Sequence, residues 1–112
     1  MRYHEVIERS HDEIEILLKD KNSEKVTDAL LSAAYYDPDW LWVQNQCLFF
    51  LDHADSNVRV VAATCLGHVA RIHKKLDLEI VLSALVPLKH DPQIGPYVQD
   101  ALDDIRFQLR FQ

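Results

Sequence analysis

The segment DSNVRVVAATCLGHVARI, Asp55–Ile72, says more about the architecture of this chain than any other. It opens on Asp and Ser, residues that stop free amide N–H groups at the start of a helix. Val58, Ala62, Cys65, Leu66 and Val69 then follow at the i, i+3, i+4 and i+7 spacing of one helix face. Val60, Val61, Ala63 and Ala70 fill much of the remaining circumference. A helix apolar on that many sides has to be covered on several of them. Three polar groups, His68, Arg71 and His73, interrupt its last turns. Whether they form a site or the wet edge of a core helix is the question on which function turns.

Working outward, the spacing predicts six helices. The first covers about 4–19, with Val6, Ile7, Ile14, Leu17 and Leu18 on one side and acids elsewhere. Asn22 or Ser23 caps the second, 24–36. DPDW reads as a start signal, Asp37 as cap and Pro38 at the first helical position of a third helix over 38–53. The fourth starts behind Asp55 or Ser56 and runs to 74; the fifth, 77–89, opens with Asp77, an acid suited to a helix N-terminus. The sixth is capped by Asp91 with Pro92 behind it, and Gly95 and Pro96 are expected to disturb its first turn.

Sliding the chain by 36 residues superimposes Val26, Ala62 and Val98; Ala29, Cys65 and Ala101; Leu30, Leu66 and Leu102; and Ala33, Val69 and Ile105. Asp55 falls on Asp91, and Val58 on Ile94. The second, fourth and sixth helices thus share one apolar frame, and a two-helix repeat of this length is the mark of an α-solenoid. The third helix, WLWVQNQCLFFL, is apolar almost all round, whereas the first and sixth are amphipathic with strongly acidic wet faces. That polarity predicts a central hairpin between two capping hairpins.

Bulk composition narrows the classes. A chain of 112 residues with 48% hydrophobic and 27% charged residues is an ordinary globular chain, one domain in size. Two glycines and four prolines leave few turns, which favours helices. Eighteen acids against twelve bases give a charge of −6, the wrong sign for a phosphate-backbone binder. The expected partner is therefore a basic protein rather than nucleic acid. No secretory leader pattern opens the chain, and no apolar run approaches the roughly 20 residues of a membrane span, so a cytoplasmic protein without membrane contact is expected. Cys47 and Cys65 lie inside apolar segments without CxxC spacing, as buried thiols in a reducing compartment do.

DSNVRVVAATCLGHVARI resembles the second helix of a HEAT repeat at Asp55, Val58, Arg59, Ala62, Leu66 and Gly67. DPQIGPYVQDALDDI matches the same pattern at Asp91, Pro92, Val98, Ala101 and Leu102. Two departures stand out. Gly95 occupies the place where Arg59 would recur, and Lys19 the place where Asp55 would recur, so the Asp/Arg ladder is incomplete and the first repeat is degenerate. The resemblance implies an all-α domain over 1–112, three stacked antiparallel helix hairpins forming a HEAT-like α-solenoid. It also implies a binding scaffold that uses the surface of its second helices. As a small acidic HEAT-like chain it resembles the bacterial immunity proteins of toxin–immunity pairs, including those of contact-dependent growth inhibition.

On the solvent side of the second helices, offset by two from the apolar frame, lie Thr64, Gly67, His68, Arg71 and Lys75. The same register adds Asp100, Asp103, Asp104 and Phe107, and Asp28, Leu31, Ser32 and Tyr35. Helices stacked about 8–10 Å apart would put His68 level with Asp104, and Arg71 level with Tyr35 and Phe107. Three uses of this stripe are open: a solvated face with cross-helix pairs, a partner-binding face, or a His68–Asp104 general base. The last lacks any nucleophile or oxyanion device beside it. His73 lies on another side and reads as polarity at a helix terminus. His53, His68, His73 and His90 follow no metal-ligand spacing, and two glycines cannot build a phosphate loop, so neither metal nor cofactor is expected.

Trp40, Trp42, Phe49 and Phe50 read mainly as core, although Trp42, two residues from Trp40, must point elsewhere and is a candidate interface anchor. The first-helix acids read as a solvated face or as a docking surface for a basic partner. The expected function is non-catalytic protein binding, as an immunity protein that neutralises a nuclease toxin and is a monomer when free. The alternatives are a HEAT-type adaptor such as a cofactor-lyase accessory factor and, last, a helical-repeat base-repair enzyme, which needs a basic groove. The expected partner-binding residues are Asp28, Tyr35, Trp42, His68, Arg71, Asp100, Asp103, Asp104 and Phe107.

Overall fold

A computed structural model describes residues 5–110 and contains six α-helices and no strand among them. They are α1 (His11–Leu18), α2 (Ser23–Tyr36), α3 (Trp40–Phe50), α4 (Ser56–His73), α5 (Leu78–Leu85) and α6 (Gly95–Leu109). The fold is all-α. Helix α4 is its spine, packing most extensively against α6, then against α2 and α3. Helices α2, α4 and α6 form one row; α1 lies on α2, α3 on α4, and α5 touches α6 more lightly. The twelve apolar positions that the 36-residue shift superimposes across α2, α4 and α6 are all buried. The radius of gyration is 13.0 Å, that of a compact chain of about this length.

Several helix starts differ from the sequence reading. The first helix begins at His11 because Ser10 caps it, its hydroxyl accepting the Glu13 N–H at 3.2 Å. His4 lies outside the described residues, and residues 5–10 form no regular structure. Instead the segment runs along α2, where the Val6 carbonyl accepts the Tyr36 hydroxyl at 3.3 Å. Asp37 does not cap α3. It ends α2 and is buried, one carboxylate oxygen accepting the Asp39 N–H at 2.9 Å while the other meets His11 Nδ1 at 2.9 Å. Asp39 is the cap of α3, accepting the Trp42 N–H at 3.1 Å. The carboxylate of Asp37 holds His11 above its ordinary pKa, so the pair pins the start of α1 to the turn between α2 and α3.

Helix α4 starts where expected, with Asp55 accepting the Asn57 N–H at 2.8 Å, and ends at Lys74 in the left-handed conformation (φ 56°). Pro87 cuts α5 short: it has no N–H for the i→i−4 bond, and Val86–Leu88 tighten into a 3₁₀ turn. Asp77 supplies no side-chain cap to α5. Its backbone N–H is instead taken by the fully buried Gln44 side chain of α3 at 2.6 Å. Asp91 caps the turn before α6, accepting from the Gln93 and Ile94 amides. The turn behind Asp91 is disturbed as expected: residues 92–94 are not helical and α6 starts only at Gly95, with Pro96 within its first two positions, where a missing N–H costs nothing. Helix α3 is not covered all round: Leu41 is 47% and Phe49 72% exposed.

Candidate functional site

The row of α2, α4 and α6 brings four of the expected residues together. Tyr35 of α2 meets the His68 ring of α4 edge-on, centroids 5.1 Å apart. The Arg71 guanidinium lies 5.8 Å from the centre of the Tyr35 ring, a cation–π contact, and donates to His68 Nδ1 at 2.9 Å. Asp104 closes the group from α6. It packs against Gly67, where an added Cβ would stand 3.4 Å from the Asp104 Cβ and 3.6 Å from the Ala101 Cα. A small residue at 67 therefore lets α6 approach α4 and carries Asp104 to the level of His68.

The chemistry of that group follows from the Arg71–His68 bond. A guanidinium has no acceptor and stays charged, so His68 Nδ1 is the acceptor and its ring proton sits on Nε2. Burial and the adjacent Arg71 charge hold His68 below its ordinary pKa, with Asp104 pulling weakly the other way. A general base oriented by a carboxylate has the opposite arrangement, its Nδ1–H donated to the acid. Here that nitrogen is occupied by a cation, which makes the imidazole a weaker base.

The other expected residues are distributed differently. Asp28, Asp100 and Asp103 are exposed on the same row, and Asp103 lies 3.6 Å from Arg106. Phe107 is 70% exposed, with no ring contact to Tyr35 or Arg71. Ser32 and Gly67, assigned by register to the wet stripe, are buried. A side chain of one oxygen or none is too short to reach past its neighbours from a position where His68 and Asp104 protrude. Trp42 belongs to another surface. Its ring packs against that of His11, tilted by 42° with centroids 3.9 Å apart, and it lines a groove between α1 and α3 with Glu15, Leu18, Lys19, Gln46 and Phe49.

Two grooves flank α4, and the sequence reading missed both. Between α2 and α4 a groove of about 480 Å³ is lined by Glu24, Thr27, Asp28, Leu31, Asn57 and Val60, among others. Between α4 and α6 a groove of about 390 Å³ is lined by Val60, Thr64, Tyr97, Asp100, Ala101 and Asp104. Val60 belongs to both. Its spacing from Thr64 on the solvent side of α4 was visible in the sequence, but the gap between helices is a property of their packing. Among the described residues, no cluster of three or more His, Cys, Asp or Glu side chains could hold a metal ion, and no helix is long and apolar enough to cross a membrane.

No protein-family model matches the chain, nor does any curated protein. Among solved structures, a chain in the crystal structure of the CDI complex from Cupriavidus taiwanensis LMG 19424 superimposes with a TM-score of 0.86 at 36% sequence identity. The match covers 96% of this chain and 96% of that one. Identity at that level over nearly the full length of both is too extensive for a shared fold alone, and this chain belongs to the same family as that member of the CDI complex.

Proposed function

We propose that the protein is the immunity member of a toxin–immunity pair of the contact-dependent growth inhibition type, and that it acts in the cytoplasm by binding a toxin domain without catalysing a reaction. The observation that carries this reading is its family membership with a chain of a CDI complex. Charge supports the immunity side of such a pair: a nuclease toxin needs a basic cleft, and a chain of net charge −6 is drawn to one. The environment of His68 supports a binding role, since a histidine whose Nδ1 is taken by Arg71 is poorly placed as a base. The 36-residue frame, buried in all three of α2, α4 and α6, favours a HEAT-like arrangement in which these helices present the binding face. On that face Asp28, Tyr35, His68, Arg71, Asp100, Asp103, Asp104 and Phe107 are the proposed contacts, with Trp42 an anchor on the outer surface only.

The test is neutralisation. The chain is purified from its native host with its bound partner, the partner is identified by mass, and its toxic domain is expressed with and without the chain. Growth rescue together with a stoichiometric complex is the expected result. A partner that is not toxic, or toxicity that persists although the complex forms, overturns the immunity reading.

A further inference from the structure

The two grooves beside α4 share a chemistry that neither helix shows alone. Their floors are apolar, built from Leu31 and Val60 on one side and from Val60, Ala101 and the half-exposed Tyr97 on the other. Their rims carry Glu24 and Asp28 from α2 and Asp100 and Asp104 from α6. No Lys or Arg lines either groove. Four other carboxylates have ion-pair partners: Glu13 with Arg9, Asp20 with Lys25, Asp37 with His11, Asp103 with Arg106. Among the described residues the four rim carboxylates have no ion-pair partner. The α4 ridge between them is neutral, with Asn57, Val60, Val61 and Thr64. Of the α4 cations, Arg59, beside Val60 in the chain, is turned to the His53 and Ala54 carbonyls and to Gln93, and Arg71, two turns beyond Thr64, is engaged by Tyr35 and His68.

We infer that these paired grooves seat a segment of a protein partner that carries two Lys or Arg side chains, one for each groove. Lys and Arg are the side chains that fit such a seat, because their aliphatic stems cover apolar surface while the charged head stays at the polar rim. Helices pack about 8–10 Å apart, so the two cations stand about that far apart on the partner and straddle α4 at Val60. Both rims have the same sign, which excludes an acidic or alternating segment and selects a basic one. The inference rests on the proposed toxin-binding role and adds to it the surface used and the chemistry of the segment bound.

The experiment uses the full chain and the toxin domain recovered in the neutralisation assay. A photo-reactive benzoylphenylalanine is placed at Thr64 in the groove or, separately, at Phe49 on the outer face, and cross-linked partner peptides are sequenced. Cross-links from position 64 into a segment with two basic residues are expected. In parallel, Thr64→Lys puts a cation into the groove from within, and E24Q/D28N/D100N/D104N removes the rim charge while keeping shape. Each should slow association about tenfold or more at low salt, with circular dichroism unchanged, whereas Ile80→Lys, at an exposed position on α5, binds as wild type. Cross-linking from position 49 only, with both groove variants binding normally, overturns the inference and leaves the toxin-binding reading standing. If the domain binds no form of the chain, both fall.

Discussion

His68 shows how one hydrogen bond sets the behaviour of a residue. Since Arg71 donates to Nδ1, protonation of His68 has to break that bond and place two cations side by side. His68 is therefore expected to titrate below the ordinary histidine value of about 6.5, in keeping with its burial and the Arg71 charge. Arg71→Gln removes the charge and should move the His68 titration upward, as followed by ring proton and nitrogen shifts in NMR. The sign for stability follows from linkage. A histidine whose folded pKa lies below its unfolded one binds its proton more weakly when folded, so stability falls as pH drops through the unfolded value. His68→Gln should flatten that acid limb in denaturant titrations. A wild-type His68 that titrates at or above 6.5, unmoved by Arg71→Gln, would contradict the Nδ1 acceptor role.

At the scale of elements, the chain's two glycines have opposite margins. A Cβ at Gly67 would meet Asp104 at 3.4 Å and Ala101 at 3.6 Å, ordinary van der Waals contact between α4 and α6. Gly67→Ala should therefore be tolerated, with a gain of up to about 1 kcal/mol from helix propensity. A Cβ at Gly95 would stand 2.6 Å from the Lys89 carbonyl oxygen, a backbone atom that a side-chain rotation cannot clear. Gly95→Ala should cost about 1–3 kcal/mol by forcing the turn away from the start of α6. Urea denaturation of both variants measures the contrast, and a Gly95→Ala midpoint equal to wild type would refute it. Element identity was legible in the sequence because apolar spacing and acidic or amide caps act locally, as at Asn22 and Asp55. The start of α3 was misplaced because a competing cap, Asp39, lies two residues beyond Asp37, and that of α1 because apolar residues continue upstream of its cap, Ser10. Asp37 was free for a tertiary bond to His11, which no local rule anticipates.

Across the whole molecule, Leu66 is the most direct probe of cooperativity. It is fully buried on α4, the helix that touches α2, α3 and α6 together. An unpaired carboxylate there has no cation within the apolar frame to meet it, and burial of a bare charge costs more than a marginal domain stability of about 5–15 kcal/mol can absorb. Leu66→Asp should lose its helical circular dichroism near room temperature, and Leu66→Ala should fold with a loss of about 2–5 kcal/mol. A Leu66→Asp protein that melts within a few degrees of wild type would mean that α4 is not the spine.

The 36-residue repeat of apolar positions was enough to specify an all-helical row and to say which side of α2, α4 and α6 is dry, because periodicity follows from the pitch of a helix. The same register predicts that His68, Tyr35, Arg71 and Asp104 meet from neighbouring helices, as they do. Register carries no information on how far a side chain reaches or how closely two helices approach. Packing alone buried Ser32 and Gly67 and sent Trp42 to the α1–α3 groove. Packing also opened the two acid-rimmed grooves beside α4. Those properties depend on distances between segments remote in sequence, which are set by the volumes of side chains meeting across a helix interface rather than by the order of residues along one helix.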